Sequence, residues 1–362
     1  MRYPLGMGEH DRAMGRSGPG VVLPTGLEDC YDATGVLMPC PGSGQDGDGR
    51  TSAPGTLARF VPRADGTVSD GLTGLGWLPS ADATGYPVSF EEGLAVVRAM
   101  NRDAAHGRSD WRMPNRRELR SLLSHGAKNP ALPANHPFTN AFPGRYWTSS
   151  SFAGMPRHAW YVHMEGARVF YEGKDRYCLL WPVCGCSSVL AATGQDRCFD
   201  AAGREIPCAG SGQDGESQSG VPWPHPRFVP DTTPDTVLDR LTGLVWRTRP
   251  VGPGHDPGNA TIPLDWGQAL RAVADLAARE GRPWRLPDIN ELESLTDLSR
   301  AFPALPAGHP FLVPAEGAWS ATTSFFDPAW AYVLYPGKGA VGVGFKINRE
   351  FSAWPVLRPA RD

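Results

Sequence analysis

Apolar residues recur at helical spacing behind a capping signal in two matching stretches of the chain. Phe90, Leu94 and Val97 fall on one face of a helix that Ser89 would cap, with Glu92 three residues on. A cap oxygen and a carboxylate at that spacing satisfy each other's orphan backbone N–H groups. Trp266, Leu270 and Val273 repeat the stripe behind Asp265 and Gln268. A shorter stripe follows each: Leu119 with Leu122 behind Asn115 and Glu118, and Leu292 with Leu295 behind Asp288 and Glu291. Pro114 and Pro287 stand just before these caps, where the chain is extended. A short strand is expected to lead to Trp77 and to Trp246. After the second helix of each pair only strand signals remain, at 159–162, 168–171, 330–333 and 340–343, all short, aromatic or β-branched and bounded by Gly. The order predicts an α+β unit, two helices followed by small antiparallel sheets, present twice.

The duplication is visible residue by residue. Cys30 and Cys40 match Cys198 and Cys208 at one constant offset within Gly-rich openings. Arg59-Phe60-Val61-Pro62 matches Arg227-Phe228-Val229-Pro230, and Leu72-Thr73-Gly74-Leu75-Gly76-Trp77 matches Leu241-Thr242-Gly243-Leu244-Val245-Trp246. Trp111-Arg112-Met113-Pro114-Asn115 matches Trp284-Arg285-Leu286-Pro287-Asp288, and His136-Pro137-Phe138 matches His309-Pro310-Phe311. Trp147, Trp160 and Trp181 are matched with Trp319, Trp330 and Trp354. The expected organisation is a flexible tail over 1–24, a first domain over 25–186, a linker at 187–192 and a second domain over 193–362.

These motifs together resemble the Lcl C-terminal domain family: the run Cys-(Tyr/Phe)-Asp-Ala-x-Gly, then GSGQDG, LTGLxW, WR(M/L)P(N/D)xxEL and a late Trp-(Thr/Ser)-x-(Ser/Thr), from Thr25 to Pro359 in two copies. The resemblance implies a fold similar to C-type lectins and to the formylglycine-generating enzyme. It also implies a bacterial surface or secreted protein, since some members act in adhesion by binding sulfated or other polysaccharides. The collagen-like stalk of the family's founding member has no counterpart here, for there is no Gly-X-Y run.

The cysteines bear on location. The ten-apart pairs Cys30–Cys40 and Cys198–Cys208 are read as local disulfides, each worth about 2–3 kcal/mol, in preference to free thiols. Zinc needs four converging ligands, and no His accompanies either pair at usable spacing. Disulfides imply an oxidising compartment, so the chain is expected to be extracellular, on the cell surface or periplasmic, although the first twenty residues lack the apolar stretch of a secretory signal. Cys178, Cys184 and Cys186 have no counterparts in the second unit. One bridge among them is expected, using Cys178, with one thiol left over.

Composition narrows the partners. Formal charge is −3 with 41% hydrophobic residues, which favours a packed globule and gives no basic excess for nucleic acid. No apolar run is long enough to span a membrane. Gly 43 and Pro 36 fit many turns and short strands. Asp46 and Asp48, and Asp214 and Glu216, sit in Gly-rich loops that superficially resemble calcium loops, so calcium is the one cofactor considered, against a simple turn. Arg112 with Glu118, and Arg285 with Glu291, are expected to be ion pairs anchoring the second helix of each unit. His158 and His163, five apart on a strand, point to opposite faces and do not form one metal site. His136 and His309 are read as loop anchors. Tryptophans recurring in both units are assigned to the core. The copy-specific aromatics Tyr161, Tyr171, Phe326 and Tyr335 are the ligand-contact candidates, since such a ring can stack on a sugar.

Nucleophile-elbow, phosphate-loop, His-Glu-x-x-His and dinucleotide motifs are missing, and Cys184 and Cys186 do not match the cysteine arrangement of formylglycine-generating oxidases. The reading is therefore non-catalytic: a tandem lectin-like protein that contacts a glycan or protein through loops on the late sheets. The alternative is a structural component that self-associates into a surface assembly, and a modifying enzyme on the related scaffold comes third.

Overall fold

The computed structural model describes residues 22–48, 58–252 and 262–358. The tail expected over 1–24 lies outside the described residues up to position 21. Leu23 within it is buried, because its carbonyl accepts from Asn290 Nδ2 and its side chain joins the core.

The first unit opens with a hairpin, β1 (Cys30–Tyr31) and β2 (Leu37–Met38). It continues through β3 (Phe60–Pro62), β4 (Val68–Asp70), β5 (Gly76–Trp77), α1 (Phe90–Arg102), α2 (Arg116–Ser121), β6 (Arg145–Ser151), β7 (His158–His163), β8 (Arg168–Gly173) and β9 (Val183–Cys184). The second unit repeats this order: β10 (Cys198–Phe199), β11 (Glu205–Ile206), a short α3 (Asp214–Ser217), β12 (Phe228–Pro230), β13 (Thr236–Asp239), β14 (Leu244–Arg247), α4 (Trp266–Glu280), α5 (Ile289–Ser294), β15 (Ala318–Thr323), β16 (Trp330–Tyr335), β17 (Ala340–Phe345) and β18 (Val356–Leu357). All four expected capping boxes form with both reciprocal bonds, at Ser89/Glu92, Asn115/Glu118, Asp265/Gln268 and Asp288/Glu291. Arg112 and Arg285 pair with Glu118 and Glu291 at 2.5 Å, so each second helix is anchored as the spacing predicts.

Each unit closes its ends in a four-stranded sheet, β3-β4-β5-β9 and β12-β13-β14-β18, with Trp77 opposite Val183 and Trp246 opposite Val356. Edge-to-face tryptophan pairs fill these sheets, Trp77 with Trp181 at 5.7 Å and Trp246 with Trp354 at 5.9 Å.

The remaining strands do not form two separate sheets. They join in one six-stranded antiparallel sheet, β15-β16-β17-β8-β7-β6, whose halves meet where Val169 on β8 pairs with Val341 on β17. These are equivalent positions, for Val169 opposes Val162 and Val341 opposes Leu334. The two units are thus related by a pseudo-two-fold axis running between β8 and β17. This register corrects the sequence alignment. Ser151 pairs with Ala159 and Thr323 with Ala331, and Thr148 Oγ1 and Ser320 Oγ donate to the carbonyls of Trp160 and Tyr332, each at 2.8 Å. The counterpart of Trp160 is therefore Tyr332, and that of Trp330 is His158. Matching the two tryptophans had imposed a gap that the backbone lacks.

Across the axis, α2 faces α5. Arg116 donates to the Gly339 carbonyl and stacks over Trp160 at 4.3 Å. Arg117 donates to the carbonyls of Ser294 and Thr296. Arg120 pairs with Glu293 at 2.9 Å and with Asn290 Oδ1 at 2.9 Å. All of these side chains except Asn290 are buried.

The disulfide-bearing openings cross between units. In the first, Thr25 to Gly26 stays against its own unit, the Thr25 carbonyl accepting from His125 N. The hairpin that follows lies on the second unit: Asp46 N donates to the Ala321 carbonyl, Thr322 Oγ1 donates to Asp46 Oδ2 at 2.7 Å, and Lys346 Nζ donates to the carbonyls of Tyr31 and Asp32. The second opening mirrors this on the first unit. Ser150 Oγ donates to Asp214 Oδ2 at 2.5 Å, Gln195 Nε2 to the Ser151 carbonyl, and Lys174 Nζ to the Phe199 carbonyl at 2.7 Å. Gly35 and Gly203, both at positive φ, touch the opposite unit so closely that a Cβ would stand 2.9 Å from Ala329 N and 2.8 Å from Arg157 N. Only glycine meets both demands at these turns.

The disulfides Cys30–Cys40 and Cys198–Cys208 are formed, each with a Cα–Cα distance of 5.2 Å. The bridge expected among Cys178, Cys184 and Cys186 is not; all three are free thiols. The backbone sends them to different neighbours. Cys178 is locked in two-way pairing with Val88, Cys184 Sγ donates to the Gly76 carbonyl at 3.3 Å, and Cys186 is exposed beyond the Gly185 turn. Burial pushes the Cys178 thiol up to about 12 and the Cys184 thiol up to about 11.

Candidate ligand-binding surface

The four loop carboxylates divide into two kinds. Asp46 and Asp214 leave their loops and are buried in the opposite unit; Asp46 Oδ2 also accepts from Thr25 Oγ1, and Asp214 Oδ2 from Thr193 Oγ1, both at 2.7 Å. Burial outweighs these donors at Asp214 and pushes its carboxyl up to about 6. Asp48 and Glu216 instead fold back on their own loops, Asp48 accepting from Gly44 N and Glu216 from Gly210 N and Gly212 N. Among the described residues no three His, Cys, Asp or Glu side chains are grouped to hold a metal ion.

The four candidate aromatics are separated by strand parity. Tyr171 lies on the face of the central sheet that packs α2, stacked on Phe152 at 4.0 Å and edge-on to Trp160. Phe326 is 43% exposed at a loop beside Gly166. Tyr161 and Tyr335 share the other face of the sheet, and Phe170 joins them there. Tyr161 pairs directly with Phe170 across β7 and β8, and Phe170 is next to β17. On β17 that face carries Ala340 and Gly342. A Cβ on Gly342 would lie 3.2 Å from Phe170 Cζ and 2.8 Å from Tyr335 Cε2, so both rings extend over the bare glycine. Tyr161, Phe170 and Tyr335 thereby form a row that crosses the pseudo-two-fold axis, each ring half-buried. Tyr335 also stands edge-on to Phe351 at 5.8 Å.

The row is not a duplicated feature. By register, Val333, Gly342 and His163 occupy the positions equivalent to Tyr161, Phe170 and Tyr335. Beside it on the same face runs a polar row of Arg145, His163 and Arg168. Arg145 leans over Tyr161 at 5.7 Å and pairs with Glu172 at 2.8 Å, while Arg168 pairs with Glu165 at 3.4 Å. Burial raises the phenol pKa of both Tyr161 and Tyr335 above its ordinary value, and burial pushes His163 down, helped by Arg168.

Phe170 and Gly342 were missed in the sequence. Phe170 and Tyr171 are adjacent, so one had to face the core and one the outside; only the register with Tyr161 decides which. Of the recurrent tryptophans, Trp147, Trp160 and Trp319 are fully buried as expected, whereas Trp330 is only half-buried and lies outside the core. The loop histidines stack on their own phenylalanines, His309 on Phe311 and His136 tilted on Phe138.

The family model of the Lcl C-terminal domain matches residues 66–184 and 235–357, more than half of the chain and once in each unit. The chain belongs to the Lcl C-terminal domain family. The two matches begin at Gly66 and Asp235, after the motifs of the openings. The disulfide-stapled openings that cross between units lie outside the matched residues, and the aromatic row lies within them. No curated protein matches the chain. Both disulfides are compatible with an extracellular location, and no helix among the described residues is long and apolar enough to cross a membrane.

Proposed function

We propose that this protein is a non-catalytic carbohydrate-binding protein of the secreted, periplasmic or cell-surface space, and that its ligand lies along the row of Tyr161, Phe170 and Tyr335. The row itself carries the reading: three half-buried rings in line across one sheet face, contributed by both units. Sugar rings present an apolar C–H face and a polar rim, and half-buried aromatics flanked by polar side chains match both. A row that crosses the axis suits a polymer better than a single sugar. Each unit is read as C-type-lectin-like, with the central sheet face rather than its loops as the contact surface.

A glycan array probed with and without calcium tests the reading. Binding to at least one polysaccharide is expected, and Tyr335→Ala should weaken it about tenfold, the loss of about 1.4 kcal/mol of contact. Absence of binding in either condition sinks the proposal, and large particles in solution would then favour a role in assembly.

A further inference from the structure

We infer that the polymer bound on this face is an uncharged polysaccharide, held across the axis so that both units are needed. This rests on the carbohydrate-binding reading above. Both guanidinium groups of the polar row already have a carboxylate: Arg145 has Glu172, and Arg168 has Glu165. His163 stands 3.9 Å from Glu165, and its burial favours the neutral ring near pH 7. At the Tyr335 end, Lys338 follows in the turn, its N–H donating to the Tyr335 carbonyl, and Glu350 is close enough to act on the phenol. The charges around the row therefore balance in sign.

Neither guanidinium of the polar row is therefore free for a sulfate or uronate. A carboxylate beside each guanidinium would repel an acidic sugar at the range where a salt bridge should form. Neutral hydroxyls face no such penalty. A guanidinium paired on one edge keeps N–H groups on its other edge, and a carboxylate keeps lone pairs, so both can hydrogen-bond a sugar rim. The rings supply the apolar contact. A protein partner is less suited, because a stable interface needs roughly 800 Å² on each side with an apolar centre, and this row is one ring wide with paired charges beside it.

The direction of the polymer follows from the geometry. Tyr161 and Phe170 come from the first unit and Tyr335 from the second, so a chain stacked on all three runs across the strands. Losing either end leaves less than a full contact.

Affinity electrophoresis of the full chain tests this, with a soluble neutral glucan or mannan, polygalacturonate and dextran sulfate as probes, at low salt and at roughly 0.3 M salt, where exposed charges are screened beyond about 6 Å. The neutral polymer should bind with less than about a twofold change between salts, and the acidic polymers should bind at least about tenfold more weakly. Tyr161→Ala and Tyr335→Ala should each lower affinity about tenfold, and Arg145→Ala less than about threefold. Because both tyrosines are half-buried, Tyr335→Leu, which keeps bulk without a flat ring, serves as the second variant, with circular dichroism as the folding check. Preferential binding of an acidic polymer that collapses with salt overturns this inference and leaves the carbohydrate reading standing. Binding of none of the polymers overturns both. Neutral binding unaffected by any of the three aromatic substitutions also overturns the inference.

Discussion

Lys174 and Lys346 occupy equivalent ends of β8 and β17 and are both buried. Each ammonium sits over the first ring of its unit's long helix, Lys174 over Phe90 at 4.7 Å and Lys346 over Trp266 at 4.1 Å, and each donates to carbonyls of the opposite opening. Desolvation pushes Lys174 down to about 8 and Lys346 down to about 7. A lysine whose pKa is depressed by folding binds fewer protons in the folded chain than in the unfolded one. Its contribution to stability therefore grows as pH rises from about 7 towards the unfolded value near 10.4. Asp214 has the opposite sense: raised to about 6, it favours the folded state most below its unfolded value and loses that contribution as pH climbs through 6. Denaturant titrations across pH should show a fall in stability from pH 4 to 6 that Asp214→Asn flattens, and a rise above pH 7 that Lys346→Met flattens. An unchanged slope in either variant would contradict the assignment. Thiol titration should find one reactive cysteine in the folded chain, Cys186, and three once it is unfolded without reductant. None of this was legible in the sequence. Lys174 stands between Gly173 and Asp175, as a surface lysine would, and Lys346 between Phe345 and Ile347; in both cases the carbonyls that receive the ammonium come from distant parts of the chain.

Helices were legible and many strands were not, β6 and β15 among them. A capping box is written within four consecutive residues, so its chemistry is local and all four could be read directly. The long-helix stripes were legible too, although Leu270 is only half-buried, lying against Gly44 of the crossed opening. By contrast β6 and β15 carry Thr148, Ser150, Ser151, Ser320, Thr322 and Thr323 in the interior, where an alternating pattern would place apolar residues. These hydroxyls are buried because they have partners: Thr148 and Ser320 bond across the sheet, and Ser150 and Thr322 bond to the carboxylates of the openings. Removing one opening's staple should therefore be felt in the other unit. Cys198→Ala with Cys208→Ala is expected to cost about 2–3 kcal/mol by denaturant unfolding. Hydrogen exchange should quicken around Ser150 and Ser151 of the first unit before it does at Thr322 of the second; the reverse order would mean the openings do not act as drawn.

At the scale of the whole molecule, duplication has given way to complementarity. Positions 116, 117 and 120 are Arg in the first unit, while the equivalent 289, 290 and 293 are Ile, Asn and Glu in the second. Around an axis that sets α2 against α5, identical copies would have faced arginine with arginine. The buried Glu293 resolves this by pairing with Arg120 at 2.9 Å and lying 3.4 Å from Arg116. Glu293→Gln leaves those cations uncompensated and should destabilise by about 3–5 kcal/mol, lowering the transition of both units together in calorimetry. Separate early melting of one unit would argue against a shared core. The sequence showed two copies but could not show that they share one sheet, since a contact such as Val169 with Val341 has no local signature.

The crossing of the openings also fixes a number. Two units with two openings make a closed exchange, in which every donor has one seat and every seat is filled. A third unit appended in the same manner would bring an opening with nowhere to dock, or would take the place of one already docked. Arrays built on this plan grow by pairs, and the parity of the repeat is set by the arms that bind the halves together.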